Sequence, residues 1–321
     1  MDINKEESYK IQIIRGIAII AVVCIHNIPS GMEQVWYRPF VNFAVGMFLF
    51  LSGLLSNNNH WRPWHRIKKV LIPYVIWSLI YTILYNHSVI IHRPQIILIN
   101  LITGQSAAIM YYIFVYCELT LFIPLIERLA KSKYKTLGFL VSPCEIILIR
   151  LIPMVLGFKL PNVVNIIIHV SCVGWFTYYY LGYLIGNNYL RYKEINTKML
   201  VIGVCGGLVL QVIEGYIYFN IETSNCGTQL KLSAIITGLL LSIIALKFIK
   251  SRVQVKMQLI HLIGDYSFGI YFSHLAIMFG LEHFNISLPY PINACIVVCL
   301  SLGFVLIMNR VLGKYAKYIG M

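Results

Sequence analysis

Residues Tyr9 to Ser30 read YKIQIIRGIAIIAVVCIHNIPS, an apolar run of helix length interrupted by Arg15 and His26. Eleven positions at about 100° each make three turns plus about 20°, so the two side chains share one helix face about 16 Å apart along the axis. An arginine inside a membrane helix costs about 2.5 kcal/mol or more to insert, and such groups usually face a protein interior or a wet cavity. The spacing reads as a polar track through a helical bundle. A plainer reading of each residue stays open. Arg15, about five residues into the run, can snorkel to the inner surface and set orientation, and His26 can hydrogen-bond a neighbouring helix near the far interface.

The rest of the chain matches this stretch. Hydrophobic residues make up 59 % of it and charged residues 12 %, whereas soluble domains are about half apolar and about a quarter charged. The fold class expected is therefore all-α, a polytopic membrane helix bundle. Windows of about 20 apolar residues place ten spans, at 11–29, 40–56, 70–86, 108–129, 137–156, 170–188, 198–219, 230–249, 259–281 and 293–312. The stretch 95–103, QIILINLIT, is too short to span and reads as a re-entrant or interfacial helix. Lys5 and Lys10 precede the first run as in a signal peptide, but no small-residue cleavage site follows, so the run is kept as the first span. No loop is long enough for a soluble domain, and residues 1–321 read as a single membrane-embedded domain.

A net charge of +14 on one soluble face would suggest nucleic acid. Here the charges mark loops instead, and the partner they imply is the lipid bilayer, with no nucleic acid. With the N-terminus inside, the inner segments hold Lys5, Lys10, Arg62, Arg66, Lys68, Lys69, Arg128, Lys131, Lys133, Lys135, Arg191, Lys193, Lys198, Lys247, Lys250, Arg252, Lys256, Arg310, Lys314 and Lys317. The outer side holds only Arg38, Arg93, Arg150, Lys159 and Lys231. By the positive-inside rule both termini lie inside. The eight cysteines show no metal or disulfide spacing, and no metal site is expected. No internal repeat of the kind carried by many transporters is present.

Four further features carry chemistry. The first inner loop, Asn57–Lys69, reads NNNHWRPWHRIKK; its cations either hold the phosphates of a cytosolic nucleotide-like ligand or serve as a topology signal. In GDYSFGIYFSH (264–274), Ser267, Tyr271 and His274 fall at i, i+4 and i+7 on one stripe, which either packs against another helix or lines a site. Glu118 lies in the middle of its span, where a carboxylate is protonated or paired with a basic group. Glu145 and Arg150, five apart, read as a loose structural pair.

Five stretches in order resemble the acyltransferase 3 family of integral-membrane enzymes that acylate sugars and other hydroxyl compounds at the cell surface. RGIAIIAVVCIH resembles its Arg, ten residues, His motif. MFLFLSGLL (47–55) is similar to its F-x-x-S-G stretch, with Phe48, Phe50, Ser52 and Gly53, and HRIKKVLIPY to its R-x-x-R element, with Lys69 in place of the second arginine. YYIFVYCELTLFIP (111–124) resembles its aromatic helix, with Tyr112 where tryptophan is common. GDYSFGIYFSH resembles its late G-x-x-S-x-x-x-Y-x-x-H helix.

The resemblance implies a membrane-bound O-acyltransferase of the bacterial plasma membrane. Such an enzyme binds no permanent cofactor and uses acyl-CoA, most simply acetyl-CoA, as co-substrate, with a saccharide or glycolipid as acceptor. It implies cofactor-side roles for Arg66, Lys68 and Lys69, which with Arg15 hold CoA phosphates; lysine at 69 keeps the charge but not the bidentate fork. His26 would act as general base, for which an imidazole titrating near neutrality is suited. Ser267, Tyr271, His274 and Glu118 would attend the acceptor. A transporter or flippase for a glycan precursor, or a non-catalytic subunit of a polysaccharide synthase, would also need ionisable residues inside a bundle.

Overall fold

In lipid a chain must satisfy its backbone polar groups internally, and the apolar runs of this sequence accordingly fold as helices. The computed structural model describes residues 5–248, 257–286 and 288–321; the inner cations Lys250, Arg252 and Lys256 lie outside the described residues. In chain order the α-helices are α1 (Lys5–Asn27), α2 (Met32–Tyr37), α3 (Ala44–Leu54), α4 (Pro63–His92), α5 (Ile96–Thr103), α6 (Tyr111–Leu121), α7 (Ile123–Lys131), α8 (Val141–Glu145) and α9 (Ile152–Leu156). There follow α10 (Asn162–Val170), α11 (Phe176–Gly186), α12 (Thr197–Ile221), α13 (Leu232–Phe248), α14 (Gln258–Asp265), α15 (Ser267–His283) and α16 (Ile292–Leu312).

Among the described residues seven stretches are long and apolar enough to cross a membrane: Glu6–Asn27, Met32–Leu54, Pro63–His92, Lys135–Leu156, Asn162–Gly186, Thr197–Ile221 and Ile292–Ile319. Tyr111–Leu121 and Leu232–Lys247 are shorter apolar helices. The expected all-α polytopic bundle is what forms. Its helices depart from the hydropathy windows where the backbone breaks. The 108–129 window divides at Phe122, just ahead of Pro124, and the 259–281 window divides at Tyr266 into α14 and α15. The 137–156 window is a succession of 3₁₀, α and π turns. Hydropathy averages over such breaks: α7 and α14 are amphipathic, and their apolar faces keep the window mean high.

The chain divides into two compact units. The first takes Met1–Trp61, Ile123–Lys159 and Val173–Asp265. In it α1 meets α14 backbone to backbone: a Cβ on Gly16 would fall 2.1 Å from the Ile260 carbonyl oxygen, and one on Gly264 would fall 1.8 Å from that of Gln12. α3 and α11 cross as closely, since a Cβ on Gly53 would lie 2.0 Å from the Tyr179 carbonyl oxygen and one on Gly182 equally near that of Phe50. The glycine of the MFLFLSGLL stretch is therefore a packing device, and its serine bonds back within its own helix. Ser52 Oγ returns to the Phe48 carbonyl at 2.8 Å, and Ser56 Oγ meets the Tyr179 hydroxyl at 2.7 Å.

The second unit takes Arg62–Phe122, Leu160–Cys172 and Tyr266–Met321. α4 organises it through an aromatic stripe at helical spacing. Tyr74 donates to the Leu101 carbonyl at 2.6 Å, Trp77 Nε1 to that of Ile319 at 3.0 Å, and Tyr81 to that of Phe272. Each buried hydroxyl or indole thus finds a backbone acceptor, as aromatic residues with a polar handle require.

Candidate functional site

Arg15 and His26 lie on α1, eleven residues apart and both half-buried, between fully buried neighbours such as Ile14 and Ile25. Arg15 Nη1 stands 3.5 Å from Gln12 Oε1, one turn earlier. Gly264 packs on the Gln12 carbonyl and Gly16 on α14, so the turn bearing Arg15 is fixed by backbone contact. His26 sits in the last turn, whose carbonyls would otherwise lack intrahelical donors. Arg38 supplies one: its Nη1 donates to the Ile25 carbonyl at 3.0 Å, and its Nε to the Gly227 carbonyl at 2.7 Å. A guanidinium at a helix C-terminus is also favoured by the helix dipole.

Around Arg38 the same unit builds a polar cap. Lys231, fully buried, donates from Nζ to the Cys226 carbonyl at 2.9 Å. Glu214 of α12 caps α13, accepting the Leu232 and Ser233 amides at 3.2 and 3.0 Å and the Tyr218 hydroxyl at 3.1 Å. Asn42 Nδ2 donates to Gln211 Oε1 at 3.0 Å. From the sequence, Arg38 and Lys231 are simply outer charges. Their signal was there: a cation against the positive-inside rule needs a local reason, and Arg38, Lys231 and Arg150 each have one. Arg150 meets Glu145 at 3.1 and 3.3 Å. In an α-helix residues five apart point about 140° from each other, but Ile146–Leu151 is a π turn, whose i→i+5 bonding brings them together.

Toward the chain's basic segments, Asn58 Nδ2 donates to Glu127 of α7, and Glu127 also holds Lys131 at 2.7 Å, which keeps that ammonium's pKa above its usual value.

In the second unit Arg66, Lys68 and Lys69 belong to a helix and not to the loop the sequence suggested. Pro63, which needs no amide hydrogen-bond partner, opens α4 at its first turn. Arg66 and Lys69, three apart, share a face, whereas Lys68 points about 160° from Arg66 and about 100° from Lys69. Arg66 is half-buried and both lysines are exposed.

Ser267, Tyr271 and His274 lie on one buried stripe of α15. The Tyr271 hydroxyl donates to the Ile109 carbonyl, and its ring packs 5.6 Å from that of Tyr112. His274 Nδ1 faces the carbonyls of Ile270 and Tyr271 at 3.0 and 2.9 Å. Two acceptors there place the proton on Nδ1, so Nε2 carries the lone pair. Glu118 Oε2 accepts the Cys172 amide at 2.7 Å, just beyond the end of α10. The structure thus brings Tyr271 and His274 together, with ring centres 6.5 Å apart, and sets Glu118 at a helix end.

A family model described as an acyltransferase domain matches residues 8–310. Curated relatives are the probable poly-beta-1,6-N-acetyl-D-glucosamine export proteins of Staphylococcus aureus strains Mu50 / ATCC 700699 and MSSA476. Each is 22 % identical over 298 residues, which cover 86 % of this chain and 80 % of the relative. No solved structure matches the chain. The family match runs through the Arg15–His26 helix and nearly to the end of α16, and the chain belongs to this acyltransferase family.

Proposed function

We propose that the protein transfers a short acyl group, most simply acetyl, from acyl-CoA to a hydroxyl of an envelope polysaccharide or its lipid-linked precursor in the bacterial plasma membrane. The observation that carries this reading is the family match over residues 8–310 combined with an arginine and a histidine half-buried on α1. Arg66 and Lys69 on one face of α4, Lys68 on another, and Arg15 on α1 are the cations suited to CoA phosphates, since charge-assisted bonds to phosphate are strong. His26 takes the proton of the acceptor hydroxyl as its oxygen attacks the thioester carbonyl. The carbon–sulfur bond then breaks, and the departing CoA thiolate receives the proton from the imidazolium. His274, whose Nε2 can accept but not donate, orients the acceptor by taking a hydrogen bond from one of its hydroxyls.

Export of a polysaccharide is the second reading, favoured by the export role for which the Staphylococcus aureus relatives are named. The two separate in one experiment: delete the gene, isolate surface polysaccharides and glycolipids, and compare base-labile O-acyl groups by proton NMR. Loss of acyl groups at unchanged polymer yield supports transfer. Unchanged acylation with polymer retained inside the cell overturns it in favour of export.

A further inference from the structure

Within the second unit a cleft of about 490 Å³ is lined by Gln105, Asn162, Asn165, Ile166 and His169. Its volume falls in the range of about 300–1,000 Å³ typical of small-ligand sites. Asn162, Asn165, Ile166 and His169 fall at i, i+3, i+4 and i+7 and so form one face of α10. The adjoining face carries Val163 and Ile167, 67 % and 61 % exposed, so α10 is amphipathic with a polar face on the cleft. Opposite stands Gln105, delivered by Gly104, whose φ of +67° ends α5 and would strain any other residue. A Cβ on Gly104 would also press on Phe114 at 3.0 Å and lie 3.5 Å from Val170, so the turn is seated against both α6 and α10.

The chemistry of the lining is selective. Among its five residues there is no lysine, arginine or carboxylate, which disfavours a phosphate or a CoA nucleotide, and three of the five carry primary amides. Amides donate and accept, as sugar hydroxyls do. Asn165 Nδ2 already donates to the Leu160 carbonyl at 3.1 Å, which turns its Oδ1 into the acceptor on offer. His169 is held by the Tyr111 ring at 5.1 Å and offers the cleft an imidazole face, a half-apolar surface suited to the C–H face of a pyranose. In the N-in orientation read from the charges, both walls belong to outer segments.

We infer that this cleft is a binding site for a neutral oligosaccharide, a subsite that grips residues of the acceptor glycan. The inference rests on the saccharide-directed reading above but is tested by binding alone. Purified full-length protein in nanodiscs is titrated with two probes, a β-1,6-linked pentasaccharide of N-acetylglucosamine and maltopentaose, by isothermal calorimetry. At least one probe binds saturably. Asn162→Ala/Asn165→Ala and, separately, Gln105→Trp, which fills the cleft from the other wall, weaken that probe by about tenfold or more, the scale of one or two lost hydrogen bonds. All three positions are exposed, so folding is preserved. The amide-keeping pair Asn162→Gln/Asn165→Gln binds more tightly than the alanine pair. Absence of saturable binding by the wild type, a smaller loss in either variant, or equal affinity of the glutamine and alanine pairs overturns the inference. Wild-type protein that binds a probe yet transfers no acyl group from acetyl-CoA would overturn the proposed function and leave this site standing; transfer without binding would do the reverse.

Discussion

Arg38 Nη1 lies 3.0 Å from the carbonyl oxygen of Ile25, the residue immediately before His26. Through its Nε the same side chain holds the Gly227 carbonyl, so the end of α1 is tied to the loop that joins α12 and α13. On the proposed mechanism, Arg38 would position His26 by holding the end of α1. Arg38→Ala should lower kcat by about 10–100-fold, the scale of a misplacement near 1 Å, with KM for acyl-CoA unmoved. Arg38→Lys, which keeps a donor and the charge, should recover part of the loss. A fall in acyl-CoA affinity with kcat intact would show that Arg38 acts elsewhere.

His26→Ala should cost about 10²–10⁴ in turnover, the usual contribution of a general base, while acyl-CoA still binds. Acyl transfer and acyl-CoA binding measured side by side on purified protein decide it. Turnover near the wild-type rate would remove His26 from the mechanism.

The charge reversal Arg66→Glu/Lys69→Glu should chiefly raise KM for acyl-CoA, because the lost binding is common to ground and transition states. Lys68→Glu, on another face of α4, should raise it less. An equal effect at all three positions would point to general surface charge instead of a phosphate grip.

Impermeant thiol labelling tests the orientation. In a cysteine-free background, Lys159→Cys should react in intact cells and Lys133→Cys only after lysis. Cys226, in the loop between α12 and α13, is a poor reporter: it is fully buried and its burial pushes the thiol pKa up, which leaves little thiolate to react. Labelling of Lys133→Cys in intact cells would reverse the topology.

Gly264→Val should lower the melting temperature in detergent, because its side chain would have to displace the Gln12 backbone. Overpacking of this kind costs about 1–3 kcal/mol. An unchanged melting temperature would mean that α1 and α14 separate more easily than their contact suggests.

Much of this was legible in the sequence. Periodicity and hydropathy give the helices, and an arginine and a histidine eleven apart give one face of α1. The short helix at 96–103 and the Glu145–Arg150 pair were also readable, the latter without the π turn that closes it. What the sequence hides is the partner of each polar group. Glu118 looks like an unpaired carboxylate until the Cys172 amide is found 54 residues away, and Arg38 looks like a stray charge until α1 ends beside it. Long-range hydrogen bonds of this sort leave no periodic trace. The α10 cleft needed a second wall, Gln105, which only the turn at Gly104 supplies.

The Glu145–Arg150 pair has a bearing on how the chain enters the membrane. A lone arginine or carboxylate in an inserting segment is penalised by about 2.5–3.5 kcal/mol, a cost usually met by a neighbouring helix that has yet to arrive. Here acid and base lie within the same span, Lys135–Leu156, and meet through its own π turn. That segment carries its counter-charge with it, so by length and composition it can enter the bilayer without waiting for α11, which is made later and packs on it.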